Sequence, residues 1–148
     1  MELRPAAAGD VRFLRSLRRG TMRRHFQAAG IGWNEAKQRE RVQYKLGCAQ
    51  IVVHRGSDAG LIKVDRGSDP WTLVQIQLLP RLQGQGIGRR LITAVLEEAS
   101  ERQAQVSLTV LKASPARRLY RRLGFRPVGE RERSLDMLWT PGLARRRT

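Results

Sequence analysis

The stretch Gln83-Gly84-Gln85-Gly86-Ile87-Gly88, with Arg89-Arg90 behind it, holds the first chemistry that this sequence offers. Glycines at every second position let a backbone approach a ligand with no Cβ in the way. The apolar periodicity that follows predicts a helix, whose first N–H groups are unpaired and whose dipole is positive at that end. That combination suits phosphate. A Walker loop needs a Gly-Lys-Ser/Thr end, and a dinucleotide fingerprint places its third glycine where Arg89 stands, so neither motif fits. Leu78 and Leu79 precede the loop, where an exposed strand edge can hydrogen-bond an amide-bearing arm running on from the phosphates; Pro80 removes a donor just past them and ends the strand. The second chemical stretch runs from Ser114 to Phe125. Ser114 suits an N-cap, Pro115 the first helical position and Gly124 a left-handed C-terminus. Tyr120 shares a face with Ala116, Leu119 and Leu123 and reads either as a packed aromatic or as a proton donor.

The elements that must position these residues follow from periodicity and punctuation. Glu2 to Pro5 is a short extended start, and Gly9-Asp10 offers an N-cap to a helix over 11–27. Ala28 to Gly32 breaks that helix, and Asn34 caps a second one over 35–46. Strand-like runs at 49–55, 60–66 and 71–79, separated by Gly56-Ser57-Asp58 and Gly67-Ser68-Asp69-Pro70, predict an antiparallel meander. Leu91, Ile92, Val95, Leu96 and Ala99 predict an amphipathic helix over 86–103; a strand at 106–110, a helix at 115–123 and extended runs at 125–133 and 135–139 complete the chain. The expected order is β-α-α-β-β-β-α-β-α-β-β. This is a mixed α/β chain of the α+β type, a single domain over residues 1–148 with 142–148 as a flexible basic tail.

Composition removes several classes. Twenty-nine Lys and Arg against 13 Asp and Glu give a net charge of +16, yet 41% apolar residues are too many for a disordered chain. A lone Cys48 excludes an internal disulfide and a cysteine-built metal knot, and indicates a reducing compartment. No run approaches the ~20 apolar residues of a membrane span, and the N-terminus has no signal-peptide block, so a cytoplasmic protein is expected. The charge would suit nucleic acid, but 5% aromatic residues and no stacking motif disfavour a nucleic-acid-binding domain. Only Lys37, Lys45, Lys63 and Lys112 among the 29 are lysines, a bias that weakens charge as a guide to partners. Arg12, Arg15, Arg19 and Arg23 lie along one side of the first helix and read as a solvated face.

Residues 83–88 resemble the Arg/Gln-x-x-Gly-x-Gly/Ala signature of the GNAT superfamily of acyl-CoA-dependent N-acyltransferases. Residues 108–125 are similar to that family's Asn-Pro-Ala-x-x-Leu-Tyr-x-x-x-Gly-Phe segment. The two motifs are in family order, and the resemblance covers essentially the whole chain. It implies a central mixed, mostly antiparallel sheet flanked by helices, acetyl-CoA as cosubstrate with no metal, and an amine as acceptor, with no membrane partner and homodimerisation left open. Carried over residue by residue, it implies that Leu78, Leu79, Gln83, Gly84, Gly86, Ile87, Gly88, Arg89 and Ser114 bind the cofactor. Tyr120 would protonate the departing thiolate. Ser114 departs from the family's usual asparagine and offers one hydroxyl where an amide has a separate donor and acceptor. Gln75 and Gln77 stand on the strand where some relatives place a glutamate base, leaving His54, Asp65, Glu130 and Glu132 as candidates by chemistry alone. The resemblance places the acceptor between the segment 27–34, with Trp33, and the turn 131–134. Cys48 has no neighbouring basic residue in sequence to mark it as an activated thiolate. A non-catalytic acyl-CoA sensor is the alternative reading.

Overall fold

The computed structural model describes residues 1–142, so the expected tail beyond Gly142 lies outside the described residues. The elements follow the expected order: β1 (Glu2–Pro5), α1 (Val11–Ala28), α2 (Glu35–Gln43), β2 (Ala49–His54), β3 (Ser57–Asp65), β4 (Trp71–Leu78), α3 (Ile87–Glu101), β5 (Val106–Leu111), α4 (Ala116–Arg122), β6 (Arg126–Glu130) and β7 (Ser134–Trp139). The seven strands are arranged β1-β2-β3-β4-β5-β7-β6. The pairs β1–β2, β2–β3, β5–β7 and β6–β7 are antiparallel, and β4–β5 is parallel. Among the described residues, no helix is long and apolar enough to cross a membrane.

Three boundaries differ from the pattern-based expectation, each for a local reason. α2 stops at Gln43 because Lys45 takes a left-handed conformation, φ 51°, before a 3-10 turn at Leu46–Cys48. The turn from β2 to β3 is the residue pair Arg55-Gly56, both at positive φ (52° and 78°), so β3 begins at Ser57 rather than Gly60. Asp10 does not cap α1 with its side chain. It closes a 3-10 turn instead, accepting from the Ala7 N–H at 2.8 Å and pairing with Arg4 at 2.8 Å.

The chain forms two compact units. The first comprises Met1–Val64 and Gln75–Gly88, and α1 buries Leu14 and Leu17 there with Val42, Ala49, Ile51 and Leu61. Each such side chain contributes roughly 1.5–3 kcal/mol of burial. Two cations share this interior. Arg18, on the side of α1 that also buries Leu14 and Leu17, donates from Nε to the Gln38 carbonyl oxygen. Lys63 of β3 is fully buried and donates to the carbonyls of Arg41 (3.2 Å), Val42 (3.2 Å) and Tyr44 (2.6 Å). These are the carbonyls that the end of α2 leaves unpaired, at the negative pole of its dipole. Burial, assisted by the nearby Arg18 charge, pulls the Lys63 ammonium down to about 8.

The second unit comprises Asp65–Val74 and the chain from Arg89 onward. β5 alternates buried Val106, Leu108 and Val110 with exposed Thr109, and pairs with β7 from Val106–Trp139 to Leu111–Ser134. The predicted stripe of α3, Leu91, Ile92, Val95, Leu96 and Ala99, is buried. The parallel ladder between β4 and β5 consists of Trp71–Val106 and Thr72–Ser107, and β4 runs on to Leu78 past its last rung.

Candidate active site

The glycine loop leaves the end of β4 through a 3-10 turn, Pro80–Leu82, that opens on the proline expected to end the strand. Gly84 and Gly86 adopt φ of 77° and 78°, and a Cβ on either would meet nothing within 4 Å. The glycines are therefore required by backbone conformation, and the space above them is open. α3 begins at Ile87, which is buried and anchors the helix start, so the unpaired N–H groups of its first turn belong to residues next to that open space. Arg89 and Arg90 are exposed and pair with no acid among the described residues.

Gln83 does something that spacing did not disclose: its Nε2 donates to the Leu78 carbonyl at 3.1 Å, tying the loop to the strand that feeds it. Leu79 is spoken for within the chain. Its N–H donates to the Ala59 carbonyl at 2.9 Å, and its own carbonyl accepts from the Leu82 N–H at 2.9 Å. Consecutive peptide groups of an extended strand face opposite edges, so with Leu79 directed at β3 it is Leu78 that presents its main chain to the other edge.

Tyr120 stands in α4, and the way that helix ends fixes its place. The Phe125 N–H donates to the Tyr120 carbonyl at 3.0 Å and the Gly124 N–H to the Arg121 carbonyl at 3.1 Å, with Gly124 at φ 105°. This is a Schellman closure, and its usual apolar contact between the flanking residues is here the edge-to-face pair of Tyr120 and Phe125, centroids 5.7 Å apart. The Gly-Phe at the end of the motif thus packs the tyrosine. Sequence reading missed Phe125 in this role, although its position two residues after the C-cap was the available signal. Tyr120 is buried, and burial pushes its phenol up to about 12, so the hydroxyl stays protonated at neutral pH. At the other end of the helix, the Ser114 Oγ accepts from the Ala116 N–H at 3.2 Å. Its one hydroxyl is a cap.

The remaining candidates divide by what they touch. Asp65 accepts from the Gly67 N–H in a turn, and Glu130 pairs with Lys112 at 2.6 Å, which holds its carboxyl below the usual range. Gln75 donates to the Arg41 carbonyl at 3.2 Å; Gln77 is buried with its Oε1 unpartnered. His54 has a buried, unpartnered Nδ1. Trp33 packs edge-to-face on Phe26 at 5.1 Å and donates from Nε1 to Glu35 at 3.0 Å, while Glu35 also pairs with Arg19 (3.0 Å) and Arg15 (3.9 Å). Part of the supposedly solvated arginine face is therefore a latch across 33–35. In the other unit, the Arg131 N–H donates to the Ser134 carbonyl at 2.9 Å, and the Arg131 guanidinium pairs with Asp136 at 3.2 Å. Cys48 is half-buried, and Lys63 lies near enough to interact with it electrostatically, a basic neighbour that the sequence did not reveal. Among the described residues, no cluster of three or more His, Cys, Asp or Glu side chains could hold a metal ion.

A phosphate-suited glycine loop at a strand end, in a mixed sheet of this order, defines an acyltransferase class of fold. The family described as an acetyltransferase (GNAT) domain matches residues 24–141. The chain belongs to the GNAT acetyltransferase family, an enzyme class that uses acetyl-CoA as cosubstrate. Among solved structures it is similar to the PaiA N-acetyltransferase from Thermoplasma acidophilum in complex with coenzyme A, at 16% identity and a TM-score of 0.73 over 94% of this chain and 98% of that one. It is similar to PH1933 from Pyrococcus horikoshii OT3, at 18% identity and a TM-score of 0.76 over 96% and 99%. It also resembles the ribosomal-protein-S18-alanine N-acetyltransferase from Escherichia coli, at 19% identity and a TM-score of 0.70 over 94% and 92%. At these identities the likeness establishes the fold. No curated protein sequence matches the chain.

Proposed function

We propose that this protein transfers the acetyl group of acetyl-CoA directly to a primary amine on a small molecule or a peptide, with Tyr120 as the acid that protonates the departing thiolate. The amine nitrogen attacks the thioester carbon and the C–S bond breaks. The sulfur takes the phenolic proton, the new ammonium loses a proton to water, and the Tyr120 phenolate recovers one from water. In this reading the loop N–H groups around Gly84, Gly86, Ile87 and Gly88 hold the pyrophosphate, and Arg89 and Arg90 add charge beside it. The Leu78 main chain pairs with the pantetheine arm, and an N–H at the same strand end polarises the thioester carbonyl. Gln83 then has a positioning role, because it grips the Leu78 carbonyl. A reducing cytoplasm is the location this reading takes, in keeping with the lone Cys48.

The observation that carries the reading is the burial of the Tyr120 phenol at the motif position where the family's acid falls, with its proton retained up to about 12. A solvated tyrosine near ~10 would face a thiol of about 8.5, whereas this one is a weaker acid by roughly two further units. The leaving sulfur, expelled into the same low-dielectric surroundings, has its own proton affinity raised by the same desolvation. The acceptor must be neutral to attack, and a lysine-like amine is neutral in only about one molecule in 2,500 at pH 7. Gln75 and Gln77 are amides and can order a water but not take the proton.

Their chemistry favours a second reading, an acyl-CoA sensor that binds without turnover. Thiol release from acetyl-CoA with a panel of monoamines and short peptides separates the two. Turnover in the wild type that falls at least tenfold in Tyr120→Phe with CoA affinity retained is expected. Tight CoA binding with no turnover on any acceptor would establish the sensor instead.

A further inference from the structure

Beside the glycine loop, the first unit holds a polar cavity of about 280 Å³ lined by His54, Arg55, Ser57, Arg81, Leu82 and Gln85. Three observations give it a chemical character. Its two guanidinium groups, Arg55 and Arg81, pair with no acid among the described residues, and the carboxylate closest in sequence, Asp58, is taken by Arg4 at 3.0 Å. The cavity is therefore a pocket of uncompensated positive charge. Arg55 also occupies the first position of the β2–β3 turn at φ 52°, where two-residue hairpins favour Asn or Gly. An arginine there is held against the steric preference of an L side chain. Such strain is the kind that persists where a side chain is wanted for contact rather than for folding.

His54 adds the third. Its Nδ1 is sealed from solvent with no partner, and an unmet acceptor is tolerated more often than an orphaned N–H. With that nitrogen as the acceptor, Nε2 is left as the ring's N–H donor toward the cavity that His54 lines. Gln85 pins the floor of the turn, its Nε2 donating to the Arg81 carbonyl at 2.9 Å.

We propose that this cavity is an oxyanion site for a phosphate group, gripped by Arg55 and Arg81 with the Ser57 hydroxyl and His54 as further donors. Two guanidinium forks and a dianion are matched in charge and in the bidentate geometry of the donors. The grip is assigned to side chains rather than to the loop N–H groups given to the pyrophosphate, so phosphate is expected to bind alongside acetyl-CoA even though Gln85 of the lining stands between Gly84 and Gly86.

The experiment is a calorimetric titration of inorganic phosphate into the full chain held saturated with CoA. Saturable binding is expected, weakened roughly tenfold in Arg55→Gln and in Arg81→Gln, with CoA affinity within about twofold of wild type in both. Acetate, the planar alternative, is expected to bind more weakly. Phosphate binding that vanishes when CoA is present would assign the ion to the glycine loop. Binding untouched by either variant would make it an adventitious ion only, and tighter binding of acetate would make the site one for carboxylates. Each of these results overturns the proposal, as does the absence of saturable binding, and none of them bears on turnover of acetyl-CoA.

Discussion

Tyr120 and Lys63 are the two side chains whose protonation the fold moves most usefully, and they move in opposite senses. Burial holds the Tyr120 phenol protonated to about 12, so the proposed acid does not titrate in the working range. The rate kcat/KM is expected to climb with pH as the acceptor amine loses its proton, and to show no descending limb below about pH 10. A fall setting in near pH 8 or 9, measured with wild-type enzyme under saturating acetyl-CoA, would remove the tyrosine from that role. Lys63 carries a stability consequence. Its folded pKa of about 8 lies below the ordinary 10.5, so between those values the unfolded chain binds the extra proton and stability rises with pH. Tyr120 works against this only above ~10, where the unfolded chain begins to lose a proton that the folded one keeps. Denaturant titrations at pH 7.5 and 9.5 are therefore expected to show the wild type gaining up to about 3 kcal/mol relative to Lys63→Met, which has no proton to lose. A constant difference between the two proteins would mean that the three α2 carbonyls hold the ammonium as well as water does.

At the scale of elements, the proposed function draws on the strand-to-helix loop and on the close of α4, and glycine is essential to each for a different reason. Gly86→Val places a β-branched residue at φ 78° in a loop with open space around it, so the damage is local and conformational. CoA affinity is expected to fall at least tenfold while the melting temperature moves little; an unchanged CoA affinity would take the loop out of the binding site. Gly124→Ala does the reverse. A Cβ there stands 3.2 Å from the Trp139 ring, which must give by a few tenths of an ångström, and φ 105° strains any residue other than glycine in the turn that packs Tyr120. Turnover and stability are expected to fall together, by about 1–3 kcal/mol in unfolding free energy, with CoA binding the less affected. Both glycines were legible in the sequence, because turn chemistry and helix stops are written in short windows. The boundaries that shifted turn on residues whose type does not announce a left-handed conformation: Arg55 before β3, and Lys45 after α2, whose freed carbonyls are met by Lys63, 20 positions beyond its last residue. The pairing of Leu79 was hidden for a different reason. Which edge a peptide group faces depends on the pairing partner, and Ala59 is not visible from a window around residue 79.

Taken over the whole molecule, the charge of +16 is not idle. Some of it is spent internally: Arg4 on Asp10 and Asp58, Arg15 and Arg19 on Glu35, Arg66 on Glu98, and Arg18 and Lys63 in the interior. Arg89, Arg90, Arg117 and Arg118 have no acidic partner among the described residues, and they follow the glycine loop or lie in the tyrosine helix. A molecule of this charge attracts a cosubstrate with several phosphate charges and repels a polycationic acceptor, both through a field that salt screens within about 8–10 Å at physiological strength. The two substrates should thus respond to salt in opposite directions. Raising ionic strength from about 20 to 300 mM is expected to lower kcat/KM for acetyl-CoA several-fold, at a fixed saturating monoamine. Over the same range, kcat/KM for a polyamine acceptor is expected to rise toward that for the monoamine, since the barrier to its approach is the part being screened. An acetyl-CoA constant indifferent to salt would leave the surface arginines without a part in recruiting the cosubstrate. A polyamine preferred over the monoamine at low salt would mean that the acceptor site carries a local negative charge strong enough to override the whole molecule's field.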